Sequence, residues 1–200
     1  MRDYLHSKKI LLFLIFFFSV FVFLSCASIP LKSYDEQVSQ WTSYKDVQIW
    51  MENYFTYSIS KLKEGMANFK PGQPLPIPIN TPRQTYEERT GVCYDAALFA
   101  KETLNRIDPS YEAEIVFIER RPYFESNHVV CSLKIDGKLY IMDYGVPKKT
   151  MRRGVFGPFS SLEEYGDFHV NQNPKLNRIK SISFGWPEYA KVRVPDLSNL

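Results

Sequence analysis

His128-Val129-Val130-Cys131-Ser132-Leu133-Lys134-Ile135-Asp136-Gly137-Lys138-Leu139-Tyr140-Ile141-Met142-Asp143 reads as two short apolar runs around an Asp-Gly pair. Asp-Gly in that setting signals a hairpin, because a two-residue type I′ turn needs positive φ at both central positions. Such a turn fixes the register. Ile135 opposes Lys138, each step back along one strand matches a step forward along the other, and Asp143 comes to face Val130. Side chains alternate faces along a strand, so His128, Val130 and Asp143 share a face, with His128 diagonal to Asp143 at roughly 7 to 8 Å between backbones. An imidazole and a carboxylate span that gap. A bulge in the turn would shift the parity and separate them.

Upstream, Arg89-Thr90-Gly91-Val92-Cys93-Tyr94-Asp95-Ala96-Ala97-Leu98 reads as a turn released into a helix, with Cys93 in the first turn. Unpaired amides at a helix start carry partial positive charge, which favours a thiolate over a thiol. Cysteine, histidine and aspartate in the order Cys93, His128, Asp143 are the parts of an acyl-transfer triad: nucleophile, base and orienting acid. Asp95 reads as a first-turn carboxylate that complements the helix dipole. Ala96, Ala97, Ala100 and Leu104 continue the helix toward Asp108-Pro109, with small residues where it approaches a sheet.

The combination of Gly-Val-Cys-Tyr-Asp-Ala-Ala-Leu heading a helix, Asn127-His128-Val129-Val130 opening a strand and Asp136-Gly137-Lys138-Leu139-Tyr140-Ile141-Met142-Asp143 resembles the bacterial transglutaminase-like superfamily over about residues 81–145. The resemblance implies a papain-like α+β core, in which a cysteine-bearing helix packs on an antiparallel sheet that carries the histidine and the aspartate. It also implies Cys93 as nucleophile, His128 as base and Asp143 as orienting acid. Members include cross-linking enzymes, cysteine peptidases and amidases, so fold and triad leave the substrate open. Val129 and Val130 stand where many members have an aromatic residue after the histidine. The family uses an oxyanion donor besides the cysteine backbone, often an upstream side chain, and Gln84, Trp50 and Trp41 are all candidates.

Arg2, Lys8 and Lys9 precede an almost unbroken apolar stretch over residues 10–24, followed by Ser25-Cys26. A basic region, an apolar region and a small residue make a secretory signal over residues 1–25, shorter than the roughly 20 apolar residues of a spanning helix. Cys26 resembles the lipidated cysteine of a bacterial lipobox, with Phe23 in place of the usual leucine. An uncleaved signal anchor is the alternative, and either places the domain outside the cytoplasm on a membrane.

Residues 26–80 read as tether, helical region and proline-rich connection, and residues 81–200 as the catalytic core, with 26–200 forming one domain. Loss of residues 1–25 removes three basic residues and one acidic residue, which takes the net charge from +3 to +1. No basic face with a nucleic-acid motif emerges, and the expected partners are a peptide or protein substrate and the membrane. No cofactor is expected, since no zinc spacing, phosphate loop or paired-carboxylate motif stands out. Lys148, Lys149, Arg152 and Arg153 form either a solvated loop or a rim attracting acidic groups.

With Cys26 lipidated, Cys93 and Cys131 remain. A disulfide between them is the structural alternative, but the hairpin parity puts Cys131 on the face opposite His128, as a small buried apolar residue. Trp41, Tyr44, Met51, Phe55, Leu62, Met66 and Phe69 form a long helical stripe started by Ser43 and Asp46, with Trp50 and Tyr54 either core or substrate-gripping. Thr81-Pro82-Arg83-Gln84 starts a short helix that ends at Gly91. Residues 114–119, 181–184 and 189–194 read as strands. Gly145, Pro147, Gly154, Gly157 and Pro158 read as a loop, followed by a short helix capped by Ser160 and Glu163. His169 shows no ligand companions. A cell-envelope cysteine hydrolase or acyltransferase is the expected function, and a noncatalytic binding lipoprotein of the same fold is the alternative.

Overall fold

A computed structural model describes residues 32–68, 70, 76, 78–120, 127–149, 152–172, 179–187, 195 and 197. The chain divides into two units between Lys32 and Ser33, and the architecture belongs to the second. Its elements in chain order are α1 (Tyr34–Val38), α2 (Tyr44–Tyr54), β1 (Thr56–Tyr57), α3 (Ile59–Ala67), α4 (Pro82–Glu88), β2 (Thr90–Gly91), α5 (Cys93–Ile107), a 3₁₀ turn (Pro109–Tyr111), β3 (Glu114–Arg120), β4 (His128–Ile135), β5 (Lys138–Asp143), β6 (Gly154–Phe159), α6 (Leu162–Gln172) and β7 (Ile179–Phe184). The signal segment and Cys26 lie outside the described residues, as do most of the proline-rich connection and the strand expected over 189–194. Among the described residues, no helix is long and apolar enough to cross a membrane.

The fold is α+β. Five antiparallel strands run in the order β6-β5-β4-β3-β7. The hairpin register follows from its turn: Ile135 pairs with Lys138 and Cys131 with Met142. Asp136 and Gly137 have φ of 52° and 72°, the positive pair a type I′ turn requires.

Alternation then sorts the two faces. Cys131, Leu133 and Met142 meet Ala96, Phe99, Ala100 and Leu104 of α5 in one core. Val116, Ile118, Val130 and Ile141 meet Leu162 and Tyr165 of α6 in another. With both faces covered, β4 is buried from His128 through Leu133. Small residues at 96, 97 and 100 let α5 lie close to the sheet.

The helix start at Thr81 follows its sequence signal, with the Thr81 hydroxyl accepting the Gln84 N–H and the Gln84 carbonyl accepting the Thr81 N–H. That helix stops at Glu88, earlier than Gly91, because Arg89 takes a left-handed φ of 55° and Thr90–Gly91 becomes a strand.

Three further expectations need correction. The long aromatic helix is two helices, α2 and α3, broken at Phe55–Ser58. There the Thr56 N–H donates to the Arg89 carbonyl and the Ser58 N–H to the Gly91 carbonyl, which pairs β1 with β2 in parallel. The segment read as a loop after Asp143 contains β6, which pairs with β5 at the sheet's edge, where Pro158 costs no central ladder bond. Finally, α6 extends over eleven residues and its capping serine is Ser161, whose hydroxyl accepts the Glu164 N–H.

Candidate active site

Cys93 opens α5 and is 5% exposed. Its helix start is anchored by Asp95, a fully buried carboxylate that accepts the Val92 N–H at 2.7 Å, the Asn80 N–H at 2.7 Å and the Lys61 ammonium at 2.9 Å. Burial raises the Asp95 carboxyl above its ordinary value, opposed by the charge and hydrogen bond of Lys61. Asp95 therefore acts as a buried N-terminal brace for the helix that carries Cys93, in keeping with its sequence reading. Both Cys93 and Cys131 are free thiols, so no disulfide joins them, and burial pushes the Cys131 thiol far up.

His128 stands at the first position of β4 and Asp143 at the last of β5, both buried. The shared face brings the ring Nε2 to 2.9 Å from Asp143 Oδ2. That contact leaves Nδ1 for the sulfur, and the Cys93 side chain hydrogen-bonds the ring. Burial alone would lower the His128 value, but the charge and hydrogen bond of Asp143, then the hydrogen bond of Cys93, raise it to about 9. Burial likewise opposes the Asp143 charge, and the His128 charge and hydrogen bond, aided by Arg120, hold that carboxyl below its usual range.

The strand end also delivers Gly145. A Cβ there would lie 2.6 Å from Cys93 Cα and 2.8 Å from its Cβ, so only glycine lets the chain leaving β5 pass the α5 start. The basic cluster beyond it is partly pinned. Arg153 donates to the Met51 and Phe55 carbonyls at 2.8 and 3.1 Å, and Lys148 pairs with Glu52 at 2.7 Å. These contacts tie the loop to α2, where the sequence suggested a solvated loop or an anion rim.

The upstream side chains considered for an oxyanion role have structural contacts of their own. Gln84 is part of the α4 capping box. Trp50 stacks on Tyr86 and packs on Phe99 with centroids 5.3 and 4.6 Å apart, and Trp41 packs against the same core, which decides Trp50 as core.

Sequence reasoning missed four neighbours. Half-buried Tyr57 of β1 packs on the core around Cys93, and its phenol is raised by burial, then by the charges of Cys93, Asp95 and Asp143. His169 stacks on His128, with centroids 5.6 Å apart and planes at 22°. Arg120 bonds His169 through Nη2 and Nε2, and the Tyr165 hydroxyl lies 3.3 Å from His169 Nδ1. The available signals were faint: Tyr165 and His169 are four apart on a helix, and Arg120 lies two beyond Ile118, the cross-strand partner of His128. Among the described residues, no group of three or more His, Cys, Asp or Glu side chains could hold a metal ion.

A family model described as a transglutaminase-like domain matches residues 25–156, a span that stops before α6. No curated protein matches. Among solved structures, the crystal structure of a TGase is similar at a TM-score of 0.36 and 14% identity, over 73% of this chain and 41% of that one. The chain thus spans well under half the length of that structure.

Proposed function

This chain belongs to the transglutaminase-like domain family, and from that premise we propose that it is a cysteine-dependent amide hydrolase or acyltransferase working through a thioester on Cys93. The observation that carries this reading is the His128 ring, bonded to Asp143 through Nε2 and to the Cys93 side chain. The proton passes from sulfur to the ring, giving a thiolate beside an imidazolium that Asp143 stabilises. The thiolate attacks the carbonyl carbon of a carboxamide or peptide bond. The Cys93 backbone amide, in the first turn of α5, offers one donor to the developing oxyanion. His128 then gives its proton to the leaving amine, and the C–N bond breaks. Water, deprotonated by His128, attacks the thioester and releases a carboxylic acid and the thiol. An acceptor amine in place of water gives transfer. Hydrolysis is the favoured outcome, because water needs no binding site of its own.

The same reading carries the domain outside the cytoplasm on a lipid attached at Cys26, as a cell-envelope lipoprotein acting on peptides or proteins. Its support is the order of basic region, apolar region and Ser25-Cys26.

The test is turnover. A pool of peptides and peptide amides is incubated with the protein, and new carboxylic acids, amines and ligated products are read by mass spectrometry. Products absent from both Cys93→Ala and His128→Ala proteins that remain folded support the reading. Products unchanged in Cys93→Ala would remove the nucleophile.

A further inference from the structure

We propose that Arg120, His169 and Tyr165 form a directed chain of hydrogen bonds that positions Asp143 and, through it, His128. The inference rests on the roles proposed for His128 and Asp143 and adds three positioning residues to them. All three are buried, at 6%, 5% and 0% exposure, and they come from β3 and α6. Tyr165 and His169 lie beyond the matched family residues.

Donor chemistry sets the direction. A guanidinium can only donate, so His169 Nε2, which meets Arg120 Nη2, must accept. A neutral imidazole that accepts at Nε2 carries its proton at Nδ1, and that N–H faces the Tyr165 oxygen at 3.3 Å. Tyr165 keeps its own hydrogen to give, and the acceptor the chain is aimed at is Asp143: Oδ2 takes the His128 ring, Oδ1 is buried without a hydrogen-bond partner among the described residues, and the carboxylate helps hold the phenol proton in place. Each donor thus fixes the next, and the last hydrogen is the one Asp143 Oδ1 lacks, beside the Oδ2 that orients His128. The His169 ring also stands against the His128 ring, which limits rotation of the imidazole.

Neutrality of His169 is part of the arrangement, since a second imidazolium there would repel His128 and reverse the first bond. Burial, then the charges of His128 and Arg120, hold its value down to about 3 despite Asp143. The groups acting on Asp143 are His128 from β4, Arg120 from β3, Tyr165 and His169 from α6, Tyr57 from β1 and Arg153 ahead of β6. The proposed chain adds a donated hydrogen bond to this field, and a donor to a carboxylate lowers its pKa.

The experiment is a carboxyl ¹³C titration of Asp143 in the full-length chain in detergent micelles, assigned with Asp143→Asn. Tyr165→Phe deletes one oxygen and should raise the Asp143 midpoint by about 0.5 to 1 pH unit, the scale of one hydrogen bond. His169→Phe keeps a ring but no polar atom and should raise it similarly. His169→Gln, which can accept from Arg120 and donate to Tyr165, should restore most of the shift. If Asp143 in the parent stays ionised down to acid unfolding, its appearance as a titrating group above that pH in Tyr165→Phe is the expected rise. Midpoints unmoved in both Phe variants, or in Tyr165→Phe alone if His169→Phe does not fold, overturn the chain, and so does a Gln variant as shifted as the Phe variant. The readout does not involve Cys93, so an inert thiol would defeat the proposed function and leave this result standing.

Discussion

Asp143→Asn separates the charge of the carboxylate from its shape. The amide oxygen can still accept from His128 Nε2, so the ring stays in place, but the negative charge is gone. His128 is fully buried and its raised value comes from Asp143 first, against a burial cost that by itself would take it below 6.5. With Asp143 neutral only Cys93 opposes the burial cost, so the value should fall from about 9 by roughly 2 pH units, or about 3 kcal/mol of lost preference for the imidazolium. At pH 7 the ring then passes from almost wholly protonated to about half protonated. A thiolate paired with that imidazolium loses its partner, so alkylation of Cys93 by iodoacetamide at pH 7 should slow on the order of a hundredfold. The assay is alkylation rate by peptide mapping, alongside a ring titration of His128 by NMR. A His128 midpoint still above 8 in the variant, or a Cys93 rate within a factor of two or so of the parent, would refute the assignment of the shift to Asp143.

Stability should follow the same pair with a definite sign. The His128 value in the fold lies above its ordinary 6.5, so its contribution is complete below about 6.5 and disappears as pH rises through about 9. Asp143 is lowered from 3.8, so its contribution is complete above 3.8 and disappears as pH falls through the lower folded value. Calorimetry should therefore show the unfolding temperature declining between pH 6.5 and 9, and a flatter decline in Asp143→Asn; identical slopes would count against the linkage. Gly145→Ala puts a methyl 2.6 Å from Cys93 Cα, where backbone must move, so a loss of about 1 to 3 kcal/mol and slower Cys93 alkylation are expected. Urea unfolding and alkylation that match the parent would contradict so close an approach. Globomycin-type inhibition of lipoprotein processing should leave a longer precursor, as should Cys26→Ala. Unchanged size with full membrane partition in Cys26→Ala would indicate a signal anchor instead.

The hairpin and the start of α4 were legible because their signals are local. Alternation with Asp136-Gly137 fixes a register, and Thr81-Pro82-Arg83-Gln84 fixes a cap, whatever the rest of the chain does. The break at Phe55–Ser58 was not legible, since β1 exists only by pairing with β2, whose residues lie 34 positions later. β6 was hidden for a related reason: Gly154, Gly157 and Pro158 read as turn residues, and only the open edge of β5 makes a strand of them. Of the helical stripe, Met51 and Phe55 are buried and Trp41, Tyr44, Leu62 and Met66 half-buried, so it marked an inward face on either reading. The juxtaposition of His128 and Asp143 followed from parity within one hairpin. His169 was missed because its neighbours come from β3, β4 and from its own helix, and no spacing in sequence records contacts across three elements.

The central claim is that Cys93 is the nucleophile, and the direct measurement is adduct mapping with an electrophilic amide probe at neutral pH. The expected result is one modified residue, Cys93, with Cys131 untouched in its buried face and the label lost in a folded His128→Ala protein. Equal labelling of Cys93 and Cys131, or full labelling of Cys93 without His128, would contradict it.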